Sequence, residues 1–228
     1  MIGFRVSAIF GGFVLLLAIV SAVLKQARPC GGLPATYPTM IAFELARSDD
    51  DLHAIFGKRE SECRAAVAAM LHRANVGDSA IFMECYGVFL AAFFVSMRRR
   101  GAASRICLAG AAVSGIAVLA DGVENYYLFR ILASLDAARP FLLGLTVATG
   151  CKWVLLGVVG LLAGMVLPRA SRLGRFATVA AAQALPITIG TVIWPRVLGP
   201  LVSVSVALSW VVILTVAASR ARTTEPRP

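Results

Sequence analysis

Six long apolar runs, separated by short connectors, constrain the fold of this chain more than any other feature. A helix needs about 20 apolar residues to cross the roughly 30 Å of hydrocarbon in a bilayer, and each run is close to that length. The runs are continuous rather than alternating, which disfavours a β-barrel. We therefore predict an all-α fold, a single polytopic transmembrane helix bundle with six spans at about 6–24, 79–97, 106–125, 141–167, 176–193 and 197–218.

The charged residues fit a membrane protein better than a nucleic-acid-binding protein. Only 15% of the 228 residues are charged, 59% are hydrophobic, and the net charge is +10. The arginines cluster in short connectors, as they do in the cytoplasmic loops of membrane proteins. The sequence has neither a basic helix nor the aromatic pattern of an RNA-binding domain. We expect membrane lipids as partners and no nucleic acid.

The distribution of arginine predicts the orientation of the spans. Alternate connectors and the C-terminal tail are rich in arginine, whereas the short connectors on the other side hold only Arg130, Arg139 and Arg196. The positive-inside rule then places both termini in the cytoplasm and residues 25–78 outside, with an uncleaved first span. The rich group consists of Arg98, Arg99, Arg100, Arg105, Arg169, Arg172, Arg175, Arg220, Arg222 and Arg227.

The external segment 25–78 is predicted to contain a small amphipathic helical hairpin over residues 39–75. Ser48 is a favourable N-cap, three aspartates follow it in the first turn, and Gly57 would end that helix. A second helix is predicted from about Arg59 to Ala74, because its apolar residues recur at helical spacing. Such a hairpin would cover the outer end of the bundle as a lid. Cys30 and Cys63 share this oxidising side of the membrane, which allows a disulfide between them.

Three ionisable residues on three different spans are predicted to lie at one depth. Counted from the cytoplasmic end of each span, Glu84 is 13 residues up, and Asp121 and Lys152 are each 15 residues up. At 1.5 Å per residue all three stand roughly 20–22 Å above that end, in the outer half of the membrane. Charges in hydrocarbon are costly and usually face a partner. We therefore expect Lys152 to pair with Asp121 or Glu84, which leaves one carboxylate in excess.

The third span contributes further polar groups to the same region. Asp121, Glu124 and Asn125 have the i, i+3, i+4 spacing of residues on one helical face. Two interpretations stay open: a structural ion pair that fixes helix register, and an outward-facing polar pocket that binds a ligand or handles protons. Catalytic residues are not assigned. The candidates for ligand binding or proton handling are Glu84, Tyr86, Asp121, Glu124, Asn125 and Lys152.

A metal site is a further alternative. His72 and Asp78 are close in sequence to the outer mouth of the second span, where Glu84, Asp121 and Glu124 would add carboxylate ligands. Histidines on the surface of an amphipathic helix are, however, the more common case. The sequence also lacks the P-loop, HExxH, nucleophile-elbow and dinucleotide-binding motifs. We predict neither a metal nor a cofactor.

Several of these residues belong to a wider pattern. The run Met40–Ala46, then Asp78, Tyr86, the D-x-x-E-N motif at 121–125 and Lys152-Trp153 resemble a group of uncharacterised bacterial integral membrane proteins. The resemblance covers residues 40–153, and D-x-x-E-N is its most specific part. It implies a multi-pass protein of the bacterial inner membrane, and it carries no activity.

Three functions are compatible with the sequence. The first is a pocket for a small amphiphile or a proton-coupled solute, although no inverted repeat indicates a secondary transporter. The second is a membrane enzyme acting on a lipid, with Glu84 or Glu124 as acid or base and Lys152 stabilising negative charge. The third is a structural or assembly protein in which the intramembrane charges only fix helix packing.

Overall fold

The chain folds into helices only, in a computed structural model that describes residues 2–23, 29–34, 37–168 and 172–222. Six helical segments are long and apolar enough to cross a membrane, which confirms the predicted all-α bundle. Spans 1 to 6 are Gly3–Val20, Arg64–Arg99, Ser104–Ala133, Arg139–Val166, Arg172–Ile193 and Pro195–Arg222. The helices are α1 (Ile2–Val23), α2 (Thr39–Glu44), α3 (Asp49–Phe56), α4 (Arg64–Gly77), α5 (Met83–Arg99), α6 (Ser104–Ala133), α7 (Arg139–Val166), α8 (Arg172–Ala182), α9 (Ala184–Ile193) and α10 (Pro195–Arg222).

The six spans pack as a closed ring in chain order. Each span contacts the next one along the chain, and α1 contacts both α5 and α10, which brings span 1 against span 6. The contacts between α6 and α7 are the most extensive, so spans 3 and 4 form a tightly packed helical hairpin. Span 4 also touches α5 and α10. It is therefore the span closest to the centre of the bundle.

One end of the bundle collects arginine-rich segments. The Arg100 guanidinium lies 5.1 Å from the centroid of the Phe4 ring, and Arg100 Nη2 donates a hydrogen bond to the Arg220 carbonyl at 3.5 Å. The start of α1, the end of α5 and the end of α10 therefore meet at the same end, as alternating spans require. The opposite end carries α2, α3 and α4.

Ser48 begins α3 as predicted. Its hydroxyl accepts a hydrogen bond from the Asp51 N–H at 3.2 Å, and Asp51 Oδ2 accepts one from the Ser48 N–H at 3.1 Å. This reciprocal pair satisfies two donors that a helix start leaves without an intrahelical partner. The helix ends at Gly57, whose φ of 71° lies in the left-handed region that glycine adopts readily. Ile55 and Phe56 are buried on the inner face.

The second arm of the external hairpin extends further than predicted. It begins at Arg64, later than the predicted start at about Arg59. It then continues past Ala74 through a π-helical turn at Asp78–Phe82, so that α4 and α5 together form span 2. The stretch contains no proline, and its buried side chains stay in phase as the helix approaches the bundle. These side chains are Val67, Leu71 and Asn75, one in every four residues.

A disulfide joins Cys30 to Cys63 at the end of the bundle that carries α2, α3 and α4. It ties the chain that precedes α2 to the start of α4, and the Cys30 N–H donates to the Ile55 carbonyl at 2.9 Å. Next to the disulfide, a hydrophobic core that is separate from the core of the bundle packs α2 and α3 against the neighbouring parts of α4, α6 and α7. We call it the outer core. The largest fully buried side chains of this outer core are Phe43, Ile55, Phe56, Leu71, Leu128, Ile131 and Leu145.

Span 5 is broken between α8 and α9 at Gln183, three residues before Pro186. Proline has no N–H to donate to the carbonyl four residues earlier, so the kink expected from Pro186 falls within this turn. Gln183 Nε2 donates to the Ser205 carbonyl of span 6 at 2.7 Å, which holds the break against the neighbouring helix.

Candidate functional site

Lys152 lies at the centre of a buried group of carboxylates. Its ammonium is 2.9 Å from Glu44 Oε2 and 3.5 Å from Asp121 Oδ1, and it is in contact with Glu124 Oε2. All four side chains are less than 10% exposed. We call these four residues the Lys152 cluster. Three carboxylates thus surround a single ammonium.

The helical hairpin of spans 3 and 4 positions most of the cluster. On α6, Asp121, Glu124 and Asn125 form the predicted face, and all three are buried. On α7, Thr149 and Lys152 are three residues apart and therefore share a face. The two faces meet because α6 and α7 pack along their length. The predicted pairing of Lys152 with Asp121 is present.

Glu44 reaches the cluster from outside the spans. It is the last residue of α2, a short helix that contacts α6, α7 and α10. Burial raises the pKa of the Glu44 carboxyl, the Lys152 ammonium lowers it, and the nearby Asp121 carboxylate raises it again; burial is the largest of these effects. The external segment therefore supplies one of the three carboxylates.

Thr149 links two members of the cluster. Its Oγ1 lies 2.6 Å from Glu124 Oε1 and 3.0 Å from the Glu44 backbone carbonyl. A threonine hydroxyl carries one proton, whereas a carbonyl oxygen and an ionised carboxylate can only accept. The geometry therefore offers one donor to two acceptors unless Glu124 itself carries a proton.

A second polar group adjoins the cluster. The Tyr86 hydroxyl donates to Asp121 Oδ2 at 2.8 Å, and Asn125 Nδ2 donates to Asp78 Oδ2 at 2.7 Å. Asp78 begins the π-helical turn of span 2 and is partly exposed. Single π-helical turns of this kind are frequent at functional sites. Polar groups therefore extend from Lys152 along the polar face of α6 to the partly exposed Asp78 on span 2.

Within the residues that the structure describes, two buried polar atoms near Asp78 lack a hydrogen-bond partner. Asn75 Nδ2 donates to the Asn125 carbonyl at 3.2 Å, but Asn75 Oδ1 has no hydrogen-bond partner among the described residues. The same holds, within that part of the chain, for Ser79 Oγ. Buried polar atoms are normally paired with protein or water, so this corner has hydrogen-bonding capacity for a ligand or a water molecule.

Glu84 is a correction to the predicted site, because it lies outside the Lys152 cluster. It is exposed on the outward face of α5, whereas Tyr86 on the same helix is buried and reaches Asp121. Two residues correspond to about 200° around a helix, so these two side chains must point in nearly opposite directions. The position of a residue along a helix axis does not specify the direction in which its side chain points.

The metal alternative is not supported by the geometry. The His72 ring is exposed on α4 and packs against Phe129 at 5.4 Å between ring centroids. Among the described residues, no group of three or more histidine, cysteine, aspartate or glutamate side chains is arranged to hold a metal ion.

Further contacts fasten the external segment over the site. The Tyr37 hydroxyl donates to the Pro195 carbonyl at 2.7 Å, and Arg47 Nη2 donates to the Val192 carbonyl at 2.6 Å. Arg196 forms an ion pair with Asp51 at 3.0 Å. These bonds join the segment around α2 and α3 to the end of span 5 and the start of span 6. They add to the contact of Glu44 with Lys152, which joins the same segment to span 4.

Glu44 in the Lys152 cluster, and Thr149 and Asp78 beside it, are the site residues that were not among the candidates predicted from the sequence. Glu44 had a detectable signal, since it is the one acid in the apolar run Met40–Ala46. Together with Tyr86, the 121–125 motif and Lys152, it belongs to the pattern singled out in the sequence. Comparison of the chain with protein-family models, curated proteins and solved structures gave no match.

Proposed function

We propose that this protein binds a small, positively charged amphiphile at the Lys152 cluster in exchange for protons. The observation that carries the proposal is the excess of carboxylates. Glu44, Asp121 and Glu124 would carry three negative charges against the one positive charge of Lys152. In a buried site such an excess is removed by protons or by a bound cation. Exchange between the two is the chemistry to which this arrangement is suited.

The hydrogen bonds of Thr149 support a stored proton on Glu124. If Glu124 is protonated, it donates to Thr149 Oγ1, and Thr149 then donates to the Glu44 carbonyl. Each of the two contacts of Thr149 then joins one donor to one acceptor. If Glu124 is ionised, one of the two short contacts of Thr149 joins two acceptors. The first state has the better hydrogen bonding.

Asp78 supports an entry route from the outer side. It is the partly exposed acid of the polar group, and Asn125 connects it to the face that carries Asp121 and Glu124. Asn75 Oδ1 and Ser79 Oγ, which have no hydrogen-bond partner in the described part of the chain, lie on the same stretch of span 2. A cation approaching Asp78 would thus meet polar oxygen atoms, which carry partial negative charge, before it reaches the buried carboxylates. The apolar part of the cation would lie among the hydrophobic side chains that surround the buried carboxylates.

The location and orientation belong to the same proposal. We place the protein in the bacterial inner membrane with both termini cytoplasmic, because the arginine-rich segments lie at one end of the bundle and positive charge favours the cytoplasmic side. The disulfide between Cys30 and Cys63 supports an oxidising compartment at the other end.

Proton release on binding of a lipophilic cation tests the proposal. The probe is tetraphenylphosphonium, added to the purified protein in a weakly buffered detergent solution that contains a pH indicator. We expect saturable binding with release of protons by the wild type. Glu124→Gln should still fold, since glutamine preserves the shape of the side chain, and should release fewer protons per cation bound. Glu84→Gln is the matched control, because it makes the same change in an acid outside the cluster.

Infrared spectroscopy gives an independent readout. We expect a carbonyl band from a protonated carboxylic acid at neutral pH, weakened in Glu124→Gln and unchanged in Glu84→Gln. Cation binding without proton release, or the absence of both binding and the acid band, would overturn the proposal.

A structural role is the second candidate, and the position of Glu44 favours it. Glu44 joins α2 to span 4, because its carboxylate pairs with Lys152 and its backbone carbonyl accepts a hydrogen bond from Thr149. If the cluster serves only as a fastener, its variants will lose stability while tetraphenylphosphonium neither binds nor releases protons in the wild type.

A further inference from the structure

A small cavity lies at the end of the bundle that carries α2, α3 and α4. It has a volume of about 330 Å³, at the lower end of the range of small-molecule sites. A sphere of that volume is about 9 Å wide, which suits a molecule of the size of an amino acid. The cavity shares no residue with the Lys152 cluster. Its lining comes from α3, the start of α4 and the connector between spans 3 and 4, and consists of Asp49, Leu52, His53, Phe56, Arg64, Leu135, Asp136, Ala138 and Arg139.

The buried part of the lining is apolar. Leu52 and Phe56 are one turn apart on α3 and are at most 5% exposed, and Ala138 of the connector is buried as well. All three belong to the outer core, and Leu135 packs against it. Their positions are therefore fixed by packing, and they offer an apolar surface to a ligand.

Asp136 is already engaged in the wall of the cavity. Arg64 Nη2 donates to Asp136 Oδ1 at 2.8 Å, and Arg59, which does not line the cavity, donates through Nε to Asp136 Oδ2 at 3.0 Å. Both carboxylate oxygens thus have a guanidinium partner. The disulfide between Cys30 and Cys63 directly precedes Arg64. These contacts hold the connector against the start of α4, so this wall is formed before a ligand binds.

Two opposite charges in the lining are not engaged. Within the described part of the chain, the Asp49 carboxylate and the Arg139 guanidinium form no hydrogen bond or ion pair, and both side chains are exposed. Asp49 is not needed to cap α3, since Asp51 forms the capping box with Ser48. A simple anion in the cavity would meet Asp49, and a simple cation would meet Arg139. A ligand that carries both charges can pair with both residues.

We propose that this cavity binds a zwitterionic amino acid with an apolar side chain. The Arg139 guanidinium holds the carboxylate of the ligand through charge-assisted hydrogen bonds, and Asp49 accepts hydrogen bonds from its ammonium. The side chain of the ligand lies against Leu52 and Phe56. His53, one turn from Asp49 on the same face of α3, can accept a further hydrogen bond through a ring nitrogen. The proposal does not rest on the function proposed for the Lys152 cluster.

Equilibrium binding of radiolabelled L-leucine to the purified full-length protein in detergent tests the proposal. Two competitors each lack one charge of leucine: isocaproate has no ammonium, and isoamylamine has no carboxylate. We expect saturable binding of leucine. Unlabelled leucine should displace it at concentrations on the order of tenfold lower than either analogue requires, because each analogue loses one charge-assisted pair.

Two variants assign the binding to the cavity. Arg139→Gln and Asp49→Asn should each weaken leucine binding on the order of tenfold. Both changes are made in exposed side chains, so the melting temperature without ligand should stay close to that of the wild type. Arg130→Gln and Asp50→Asn are the matched controls. They make the same changes in exposed residues that do not line the cavity, and they should bind leucine as the wild type does.

The absence of saturable leucine binding would overturn the proposal, as would equal displacement by leucine and by one of the analogues. Leucine binding that survives both Arg139→Gln and Asp49→Asn would also overturn it. Displacement by glycerophosphoethanolamine but not by unlabelled leucine would show that the cavity takes the zwitterionic headgroup of a lipid. That result would refute the assignment to an amino acid.

Discussion

Glu44 and Lys152 are 108 residues apart in the sequence, yet Glu44 Oε2 lies 2.9 Å from the Lys152 ammonium. The pair connects a short helix outside the spans with the most central helix of the bundle. Neither residue would be stable alone at this depth, because an isolated buried charge costs several kcal/mol. The external segment and the transmembrane bundle therefore depend on each other.

Replacing Lys152 should be strongly destabilising. Lys152→Met keeps the length of the side chain but leaves Glu44, Asp121 and Glu124 without a cation, and we expect a loss of about 3–5 kcal/mol in the free energy of unfolding near neutral pH. The loss should shrink at lower pH, because protons can then neutralise the carboxylates. Unfolding in mixed micelles measures it, with the exposed Lys58→Met as control. A loss below about 0.5 kcal/mol would contradict the assignment.

Removing the Glu44 carboxylate should loosen the external segment. In Glu44→Ala, α2 keeps its backbone bond to Thr149 but loses the ion pair to Lys152. We expect faster amide hydrogen exchange throughout Thr39–Phe56, because local opening no longer requires separation of a buried ion pair. The exposed Glu60→Ala should leave exchange in that range unchanged. Equal exchange in all three proteins would mean that the ion pair does not hold the segment.

Two glycines on spans 3 and 4 should respond oppositely to alanine. A Cβ at Gly144 would collide with the Tyr127 ring, so Gly144→Ala should cost about 1–3 kcal/mol of stability. A Cβ at Gly115 meets nothing within 4 Å, and alanine there should gain up to about 1 kcal/mol from its higher helix propensity. Thermal unfolding of the two variants in one detergent compares them. Similar shifts of the same sign would contradict the packing described.

Asp51 should make stability depend on pH in the acid range. Burial raises the pKa of Asp51, but hydrogen bonds from Arg47, Ser48 and Arg196 together outweigh burial and hold the pKa below its usual value of 3.8. A carboxyl whose pKa is depressed by folding stabilises the protein above its unfolded pKa, and that contribution is lost as the pH falls below about 3.8. The melting temperature should therefore fall less between pH 5 and pH 3 in Asp51→Asn than in the wild type. A parallel decline in the two proteins would refute this.

The spans and one face of the site follow directly from residue spacing. Uncharged runs of membrane-crossing length predict the bundle, and the i, i+3, i+4 spacing places Asp121, Glu124 and Asn125 together. Counting along the helices also places Asp121 and Lys152 at one depth, where they meet. These features depend on local geometry, which a single sequence contains.

The remaining parts of the site depend on long-range packing. Glu84 points away from the cluster, because Tyr86, two residues further along the same helix, packs inward and reaches Asp121. The rotation of span 2 that turns Tyr86 inward is set by its packing neighbours. Glu44 enters the cluster because the outer core folds α2 back onto spans 3 and 4. No hydrophobic periodicity in the external segment predicts that α2 packs against spans 3 and 4. An acid within an otherwise apolar run is the one local sign of it.

The closeness of Lys152 to the acids of span 3 has a consequence for biosynthesis. When span 3 leaves the ribosome, Asp121 and Glu124 have no counter-ion, and acids are costly to insert into a bilayer. Their partner follows on the next helix, after the short connector between Ala133 and Arg139. Span 3 is therefore expected to wait in the translocon until span 4 arrives, so that Lys152 can pair with the acids of span 3 as the two helices enter the lipid. In the proposed orientation, Glu44 has been translocated before span 3 is made, and it is the last carboxylate to join the cluster.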